Sequence, residues 1–272
     1  MDLIGELRIL WIAVVAYVLA GSLAIIGVLL KRRPERSVLA LMFLGLAVHM
    51  LAIGLRWNRL GHGPFVSMFE ILSSNIWSLM LVFSIAYWRL PPIRPVAAIV
   101  MPILFTMMGW LMTVSPGEAY LPPTYHTVWL FVHIGFGKVF LGAVLVAVGL
   151  SGVILLRQTE RGGNWFLRLP ADHRLSELSY RCMAIGFVFE TLMLIAGAIW
   201  AQDAWGRYWD WDPLETWAFI TWLIVGISLH ARLTFHLSPR VGAWLVLGVF
   251  VSAFLTFFGF PFISQVPHQG AV

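Results

Sequence analysis

Charged residues are scarce in this 272-residue sequence, at 11%, whereas hydrophobic residues make up 60% of it. Soluble domains are typically about a quarter charged. This composition excludes a soluble enzyme, a disordered chain and a nucleic-acid-binding domain, so we expect no nucleic acid among the partners. Cysteine is nearly lacking too. Cys182 is the only one, which excludes an internal disulfide framework and any metal site built from several cysteines.

Long apolar runs are abundant instead, and eight of them are long enough to cross a bilayer. A hydrocarbon core about 30 Å thick needs about 20 helical residues. The runs lie near 9–30, 37–55, 66–88, 93–114, 127–156, 180–202, 214–235 and 241–263. Little sequence remains for a soluble domain. We therefore predict an all-α polytopic membrane protein with about eight transmembrane helices, forming a single integral-membrane domain over 1–272.

The basic residues are distributed unevenly between alternate loops. Thirteen of the eighteen lie in or beside the odd-numbered loops: Lys31, Arg32, Arg33, Arg36, Arg89, Arg94, Arg157, Arg161, Arg168, Arg174, Arg181, Arg232 and Arg240. Loops rich in Lys and Arg stay in the cytoplasm. This bias predicts that both termini lie outside the cytoplasm. It also places the loop near 157–179 in the cytoplasm and the loop near 200–217 outside.

The outer loop near 200–217 is rich in tryptophan and carboxylates. Five of the fourteen tryptophans lie there: Trp200, Trp205, Trp209, Trp211 and Trp217. An interfacial belt spreads Trp over many helix ends, whereas this concentration favours a flat, π-rich surface for a large planar ligand. Asp212, followed by Pro213, resembles a helix N-cap with Pro at the first helical position and Glu215 at the third. Part of the acidic content is therefore expected to be structural.

Histidines on the same predicted face suggest what the ligand is. His133 lies about two turns into the fifth helix, and His268 follows the eighth. Two neutral imidazoles beside an aromatic surface suit the axial positions of a haem iron, although each is also consistent with a hydrogen-bonded structural histidine. Arg56, Arg59 and Arg207 are candidates to bind ligand carboxylates, and snorkelling to lipid phosphate is the alternative.

Three further ionisable residues fall within apolar runs, where they are costly and point to function by default. They are Glu70, Glu190 and Lys138. A pair between Lys138 and either carboxylate would lower the cost of burying both charges. The sequence does not choose between the two carboxylates, and a proton-relay role stays open beside the structural one.

Five sequence motifs carry a family resemblance. The longest is AWGRYWDWDPLETWAFITW (204–222), and the others are RWNRLGHGPFVSMFEILSSNIW (56–77), WLFVH (129–133), LSYR (178–181) and LHAR (229–232). These motifs resemble those of the CcsA (ResC) family, the integral-membrane component of system II cytochrome c biogenesis. This family belongs to the wider haem-handling superfamily with a tryptophan-rich outer loop (CcmF/CycK/CcsA). Three positions depart from the family pattern: Leu214 replaces a Lys, Phe69 replaces a Tyr, and the tail SQVPHQG matches loosely.

The resemblance implies haem b, as ligand and substrate, on the outer face. His133 and His268 would be axial ligands of the iron, and His230 would bind haem in transit across the bilayer. The porphyrin would lie on the tryptophan-rich loop, with binding residues Trp205, Trp209, Trp211 and Asp212, and with Arg56 and Arg207 as the carboxylate partners. Glu190 is not expected from the family.

The resemblance also implies covalent attachment of haem to the CXXCH segment of an apocytochrome c, that is, haem lyase activity as part of a complex. The expected partners are a Ccs1/ResB-type membrane protein, apocytochrome c, thiol-disulfide reductants and membrane lipid. The expected location is a bacterial plasma membrane, or a thylakoid membrane if the protein is plastid-encoded. Two alternatives stay open: a haem exporter or chaperone serving a separate ligase, and a transporter of another planar or anionic molecule.

Overall fold

The protein is described by a computed structural model, which describes residues 3–32, 34–119, 121 and 123–259. Within these residues the regular structure is entirely helical, so the predicted fold class is confirmed. Eight helical segments are long and apolar enough to cross a membrane. Which side of the membrane each end faces stays a prediction.

Two compact units make up the chain. Unit 1 comprises residues 1–119 and 156–170, and unit 2 comprises residues 120–155 and 171–272. Unit 1 contains helices α1 (Leu3–Leu29), α2 (Glu35–Leu60), α3 (Met68–Arg89) and α4 (Ala97–Leu111). A 3₁₀ turn, Pro91–Val96, precedes α4, and the short helix α6 (Glu160–Trp165) completes the unit.

Close helix packing in unit 1 depends on small residues. A Cβ atom at Gly45 of α2 would lie 2.5 Å from the ring of Tyr17 on α1, so only glycine permits this approach. Two hydrogen bonds join α2 to α3. Nε2 of His49 bonds the Ser73 hydroxyl at 2.9 Å, and the Trp77 indole donates to the Leu46 carbonyl at 3.0 Å. The buried His49 and Ser73 side chains and the half-buried Trp77 indole thus have hydrogen-bond partners, which a low-dielectric interior favours.

Glu70 is fully buried at the N-terminus of α3. Its carboxylate accepts hydrogen bonds from the Arg56 guanidinium at 2.9 Å and from the backbone of Val66 at 3.0 Å, and it completes a capping box with Ser67. The sequence left open whether Lys138 pairs with Glu70 or with Glu190. Glu70 pairs with Arg56, because the start of α3 places its carboxylate beside the end of α2. Both carboxylate oxygens of Glu190 are buried without a hydrogen-bond partner among the residues that the structure describes.

Unit 2 contains α5 (Val128–Leu156), α7 (Asp172–Trp205), α8 (Pro213–Phe235) and α9 (Pro239–Phe254), which continues into a π-helical turn, Leu255–Gly259. Side-chain hydroxyls bridge these helices: Ser179 of α7 donates to the Ala147 carbonyl of α5, and Thr221 of α8 bonds Ser252 of α9 at 2.8 Å. α7 begins at Asp172, before the apolar run that starts near 180. Its polar first turns extend a helix of about 50 Å, longer than the bilayer core requires.

Candidate functional site

The tryptophan-rich segment joins α7 to α8, and both of its ends are fixed by caps. α7 ends at Trp205 and is capped by Gly206, whose left-handed backbone (φ 74°) lets its N–H donate to the Gln202 carbonyl. α8 begins with Asp212 as N-cap, whose carboxylate accepts from the Glu215 N–H at 2.9 Å, with Pro213 at the first position. The predicted N-cap is confirmed. The Asp212 carboxylate therefore fixes the start of α8 and also gives the segment negative charge.

Glu215 and the first turn of α8 brace the middle of the segment. The Glu215 carboxylate accepts from the Asp210 backbone N–H at 2.8 Å, and the Thr216 hydroxyl donates to the Trp211 carbonyl at 3.1 Å. Trp211 has φ 58°, a left-handed conformation that is rare for a bulky residue. Its side chain is 66% exposed. The Trp211 indole is thus exposed to its surroundings by a backbone conformation that costs free energy. Such strained backbone conformations are typical of functional positions.

Four of the five tryptophans between 200 and 217 divide into two aromatic clusters. In the first, the Tyr125 cluster, the Trp200 indole donates to the Tyr125 carbonyl at 3.1 Å and the Trp205 indole donates to the Tyr125 hydroxyl at 2.9 Å. Trp200 and Trp205 also meet edge to face, with ring centroids 4.9 Å apart. Tyr125 therefore fixes the orientation of both rings, a role that the sequence analysis missed.

The second cluster is the Phe219 ladder, which runs from the segment down α8. The rings of Trp209 and Trp211 both pack edge to face on Phe219. Phe219 stacks on Trp222 at 5.7 Å, and Trp222 stacks on Phe187 of α7 at 5.4 Å. The indole nitrogen of Trp209 is buried and has no hydrogen-bond partner in the described residues. An unpaired buried donor beside exposed Trp211 is suited to an anionic or carbonyl oxygen of a ligand.

His133 belongs to the Tyr125 cluster. Its ring lies nearly parallel to that of Trp200, at 18° and 6.2 Å, and its Nδ1 lies 2.9 Å from the Met193 carbonyl of α7. Because a carbonyl oxygen only accepts, Nδ1 carries the proton and donates it. In that tautomer the lone pair is on Nε2, the nitrogen able to ligate iron, and the backbone bond orients the ring as outer hydrogen bonds do for metal-bound histidines.

Gly197 of α7 makes the room that His133 needs. A Cβ atom at position 197 would lie 2.7 Å from Nδ1 and 2.9 Å from Cε1 of the His133 ring. Real side chains do not tolerate such distances, so any larger residue would displace the imidazole. No sequence motif indicates this role, because the contact depends on how α5 and α7 pack.

Of the other two predicted iron ligands, the structure describes only His230. His230 is exposed near the C-terminus of α8, about 26 Å along the helix from Pro213, and its Nε2 bonds the Thr234 hydroxyl at 3.3 Å. It is therefore at the opposite end of α8 from the tryptophan-rich segment. His268 lies outside the residues that the structure describes, so its ligation stays a prediction.

The two predicted carboxylate partners differ in their surroundings. Arg207 lies on the tryptophan-rich segment and forms a surface ion pair with Asp210 at 2.5 Å. Such an exposed pair contributes little and is easily exchanged for another anion. Arg56 belongs to unit 1, is 5% exposed, and donates to Glu70 and to the carbonyls of Pro116 and Gly117. Its guanidinium thus stabilises unit 1, and a role in binding a ligand stays a prediction.

The residues fit haem better than a bare metal ion. No group of three or more His, Cys, Asp and Glu able to hold a metal ion occurs in the described part of the chain. Haem iron needs only one or two axial ligands from the protein. In a haem site the oriented Nε2 of His133 would be the iron ligand, the aromatic rings would supply apolar faces, and the Trp209 indole N–H would supply a polar contact for the porphyrin.

Comparison with known proteins identifies the family. The sequence profile of the family described as "Cytochrome C assembly protein" matches residues 36–268. This chain belongs to that family. The match includes both aromatic clusters, His133 and His230.

Curated relatives agree with this assignment. A "Cytochrome c biogenesis protein CcsA" from Prochlorococcus marinus (strain MIT 9515) is 34% identical over 207 residues, covering 66% of this chain and 66% of the relative. The protein of the same description from strain MIT 9312 is 32% identical over 81% of this chain and 80% of its own length. The Chlamydomonas reinhardtii relative is 31% identical over 68% of this chain, which spans about half of that relative (54%).

A solved structure described as "Cytochrome c Heme Lyase CcmF" has the same fold. The superposition has a TM-score of 0.72 at 19% identity and covers 93% of this chain but 46% of that one. At this identity the likeness concerns the fold alone. Family membership and the eight apolar helices make this a multi-span membrane protein of cytochrome c biogenesis, a process that handles haem.

Two family elements that are distant in sequence meet at the far end of unit 2. Arg232, from the LHAR element on α8, donates to the carbonyl and hydroxyl of Ser176 at 2.8 and 2.7 Å and lies 4.9 Å above the ring of Tyr180 in LSYR on α7. This interaction fixes the C-terminal end of α8 against α7. His230 is two residues before Arg232, so the same contact also positions that histidine.

Proposed function

We propose that this protein binds haem b against the tryptophan-rich segment and presents it for covalent attachment to apocytochrome c. The observation that supports the proposal is the setting of His133: its Nδ1 bond to Met193 and its parallel contact with Trp200 fix the orientation of the ring, and Nε2 would be the iron ligand. Family membership supports haem as the planar ligand. His268 would supply the second axial nitrogen.

The aromatic clusters would hold the porphyrin, and polar groups would orient it. Trp205, Trp209 and Trp211 supply π faces and edges, and the Trp209 indole N–H is available for an oxygen acceptor. Arg207 would exchange its surface partner Asp210 for a haem propionate. Asp212 acts by capping α8, which keeps the segment in shape.

Thioether formation is then an addition that needs no oxidant or reductant. Each thiol of a CXXCH segment adds across a haem vinyl group: the S–H bond and the vinyl π bond break, a C–S bond forms, and the proton ends on the other vinyl carbon. The histidine of CXXCH would replace one axial histidine and so favour release. No side chain of the site has to act as a base, because holding the reactants together supplies much of the rate.

A ResB-type membrane protein, thiol reductants and apocytochrome c complete the system we propose. The reductants keep both CXXCH cysteines as thiols, since a disulfide cannot add to a vinyl group. In the predicted topology His230 is on the cytoplasmic side, where it would bind haem on its way to the outer site.

The test combines a spectrum with a maturation assay. Protein co-expressed with its ResB-type partner and purified in detergent should show the Soret band of six-coordinate, low-spin haem, and a reporter c-type cytochrome should acquire covalent haem. Absence of any Soret band would overturn the proposal in favour of a non-haem transporter. If the protein binds haem but thioethers form only after a separate ligase is added, the attachment step is overturned. The protein would then be a haem exporter or chaperone.

Replacing His230 with alanine should lower haem content severalfold while leaving the spectrum of the remaining haem unchanged. The side chain is remote from His133 along unit 2, so its loss affects arrival and not ligation at the outer site. Haem per protein and Soret position are the readouts, with His236→Ala as the control, since His236 caps the same helix end. Unchanged haem content would rule out the transit role.

Replacing Gly197 with alanine should reduce haem binding and attachment without unfolding the protein. The added Cβ forces the His133 ring away from Met193, and a displacement of about 1 Å can cost up to about 10²-fold in rate. Gly135→Ala on α5 is the matched control, because its Cβ meets nothing within 4 Å. An unshifted Soret band and full maturation in the Gly197 variant would show that the position of the ring is not critical.

A further inference from the structure

Unit 1 contains a cavity of about 480 Å³ that the proposed haem site does not use. It lies where α1 ends, α2 begins, α3 ends and the 3₁₀ turn before α4 begins, so it is at one end of four membrane helices. The segment 164–169, which follows the short helix α6, forms a further wall. In the predicted topology this end faces the cytoplasm.

Basic side chains dominate the charge of this cavity. Lys31, Arg32, Arg94 and Arg168 line it together with one carboxylate, Glu35. Arg94 already pairs with Glu35 at 2.5 Å and donates to the Tyr87 carbonyl at 3.1 Å. Lys31, Arg32 and Arg168 are exposed, and none of the three forms an ion pair with a carboxylate in the described ranges. The cavity therefore has an excess of three positive charges.

The wall beside Arg168 is held in a fixed shape. The Arg157 guanidinium donates to the carbonyls of Phe166, Leu169 and Pro170 at 2.6 to 2.7 Å, which anchors both ends of the wall. Phe166 and Leu169 are buried, whereas Trp165 is 39% and Leu167 67% exposed. Exposed Trp and Leu beside basic residues are typical of a segment lying in the membrane interface. We therefore expect Arg168 to lie at the level of the lipid headgroups.

We propose that this cavity binds the phosphate headgroup of an anionic phospholipid. Basic pockets between membrane helices on the cytoplasmic side are suited to such headgroups. The three uncompensated cations would contact the phosphate, and the apolar lining, including Phe166 and Val28, would contact the glycerol and the upper acyl chain. Among the described lining residues none is His, Cys or Met, the usual nitrogen and sulfur ligands of haem iron. This favours a lipid over haem as the occupant.

The binding site is independent of the proposed haem chemistry, so its failure and that of the proposed function are distinguishable. The test is native mass spectrometry of the full chain, as purified with its partner, titrated with phosphatidylglycerol or phosphatidylcholine. We expect tighter adducts with phosphatidylglycerol. The triple variant Lys31→Gln, Arg32→Gln, Arg168→Gln should bind it about 10²-fold more weakly, since each basic side chain near the surface contributes about fivefold. The Soret band should be unchanged.

The matched control carries the same change in charge away from the cavity: Arg36→Gln, Arg161→Gln, Arg174→Gln. It should retain wild-type affinity. Equal weakening in the control, or equal affinity for phosphatidylcholine, would overturn the proposal. So would displacement of the lipid by millimolar inorganic phosphate alone, which would indicate a site for free anions. Loss of haem content in the triple variant with lipid binding intact would assign the cavity to haem instead. Arg168→Gln alone, expected to lower affinity about fivefold, is tested if the triple variant does not fold.

Discussion

Replacing His133 with glycine should abolish both the low-spin haem spectrum and maturation of the reporter cytochrome. The expected cause is loss of an iron ligand, because the ring that the substitution removes is oriented by Met193 and Trp200. A second axial histidine alone would leave a five-coordinate, high-spin iron. Glycine also leaves a space the size of the ring, bounded by Gly197 and Trp200, which free imidazole can occupy. Added imidazole should therefore restore the Soret band and, in part, maturation.

His126→Gly is the matched control for this experiment. His126 lies just before α5, is exposed, and contacts Phe131 through its ring. It should retain haem and maturation. If His133→Gly folds, as judged by its thermal unfolding midpoint, and keeps a low-spin spectrum, His133 is not an axial ligand. If haem is lost and imidazole restores neither readout, the histidine supports the site by packing and not by ligation.

Sequence analysis predicted the membrane helices and the helix N-cap of the site because both depend on local composition. An apolar run of about 20 residues has few alternatives to a spanning helix, since its backbone polar groups must be paired internally. The Asp212-Pro213 pair likewise acts on its own helix end. Family motifs added the expectation of haem, and family membership is confirmed.

The remaining parts of the site depend on contacts between distant segments, and no local pattern predicts them. Tyr125 precedes Trp200 by 75 positions and yet accepts its hydrogen bond. The space for His133 depends on Gly197 of another helix. Charge alone made Arg56 a candidate for ligand carboxylates, whereas the packing of α2 on α3 supplies Glu70 as its partner. The role of each charged residue in this protein thus depends on its burial and on its interaction partner more than on its residue type.

Glu70 and Glu190 test whether the partner of a buried charge decides its effect on stability, since both side chains are 0% exposed on membrane helices. Glu70→Met should destabilise the protein by about 3–5 kcal/mol. The substitution removes the carboxylate nearest to the buried Arg56 guanidinium, at 2.9 Å, and leaves only Glu6 at 3.9 Å, and breaking such a pair is costly. It also removes the acceptor of the capping box at the start of α3. The measurement is the free energy of unfolding in detergent.

Glu190→Met should be neutral or stabilising by about 1–3 kcal/mol. Neither carboxylate oxygen has a hydrogen-bond partner in the described part of the chain, and an unpaired buried polar group costs about that much. Methionine also fills a similar volume in an apolar setting. Equal destabilisation by both substitutions would show that Glu190 has a counter-charge in the folded protein. A more stable Glu190→Met variant that no longer matures cytochrome c would show that the unpaired carboxyl is kept for function, because proteins retain such costly groups at working sites.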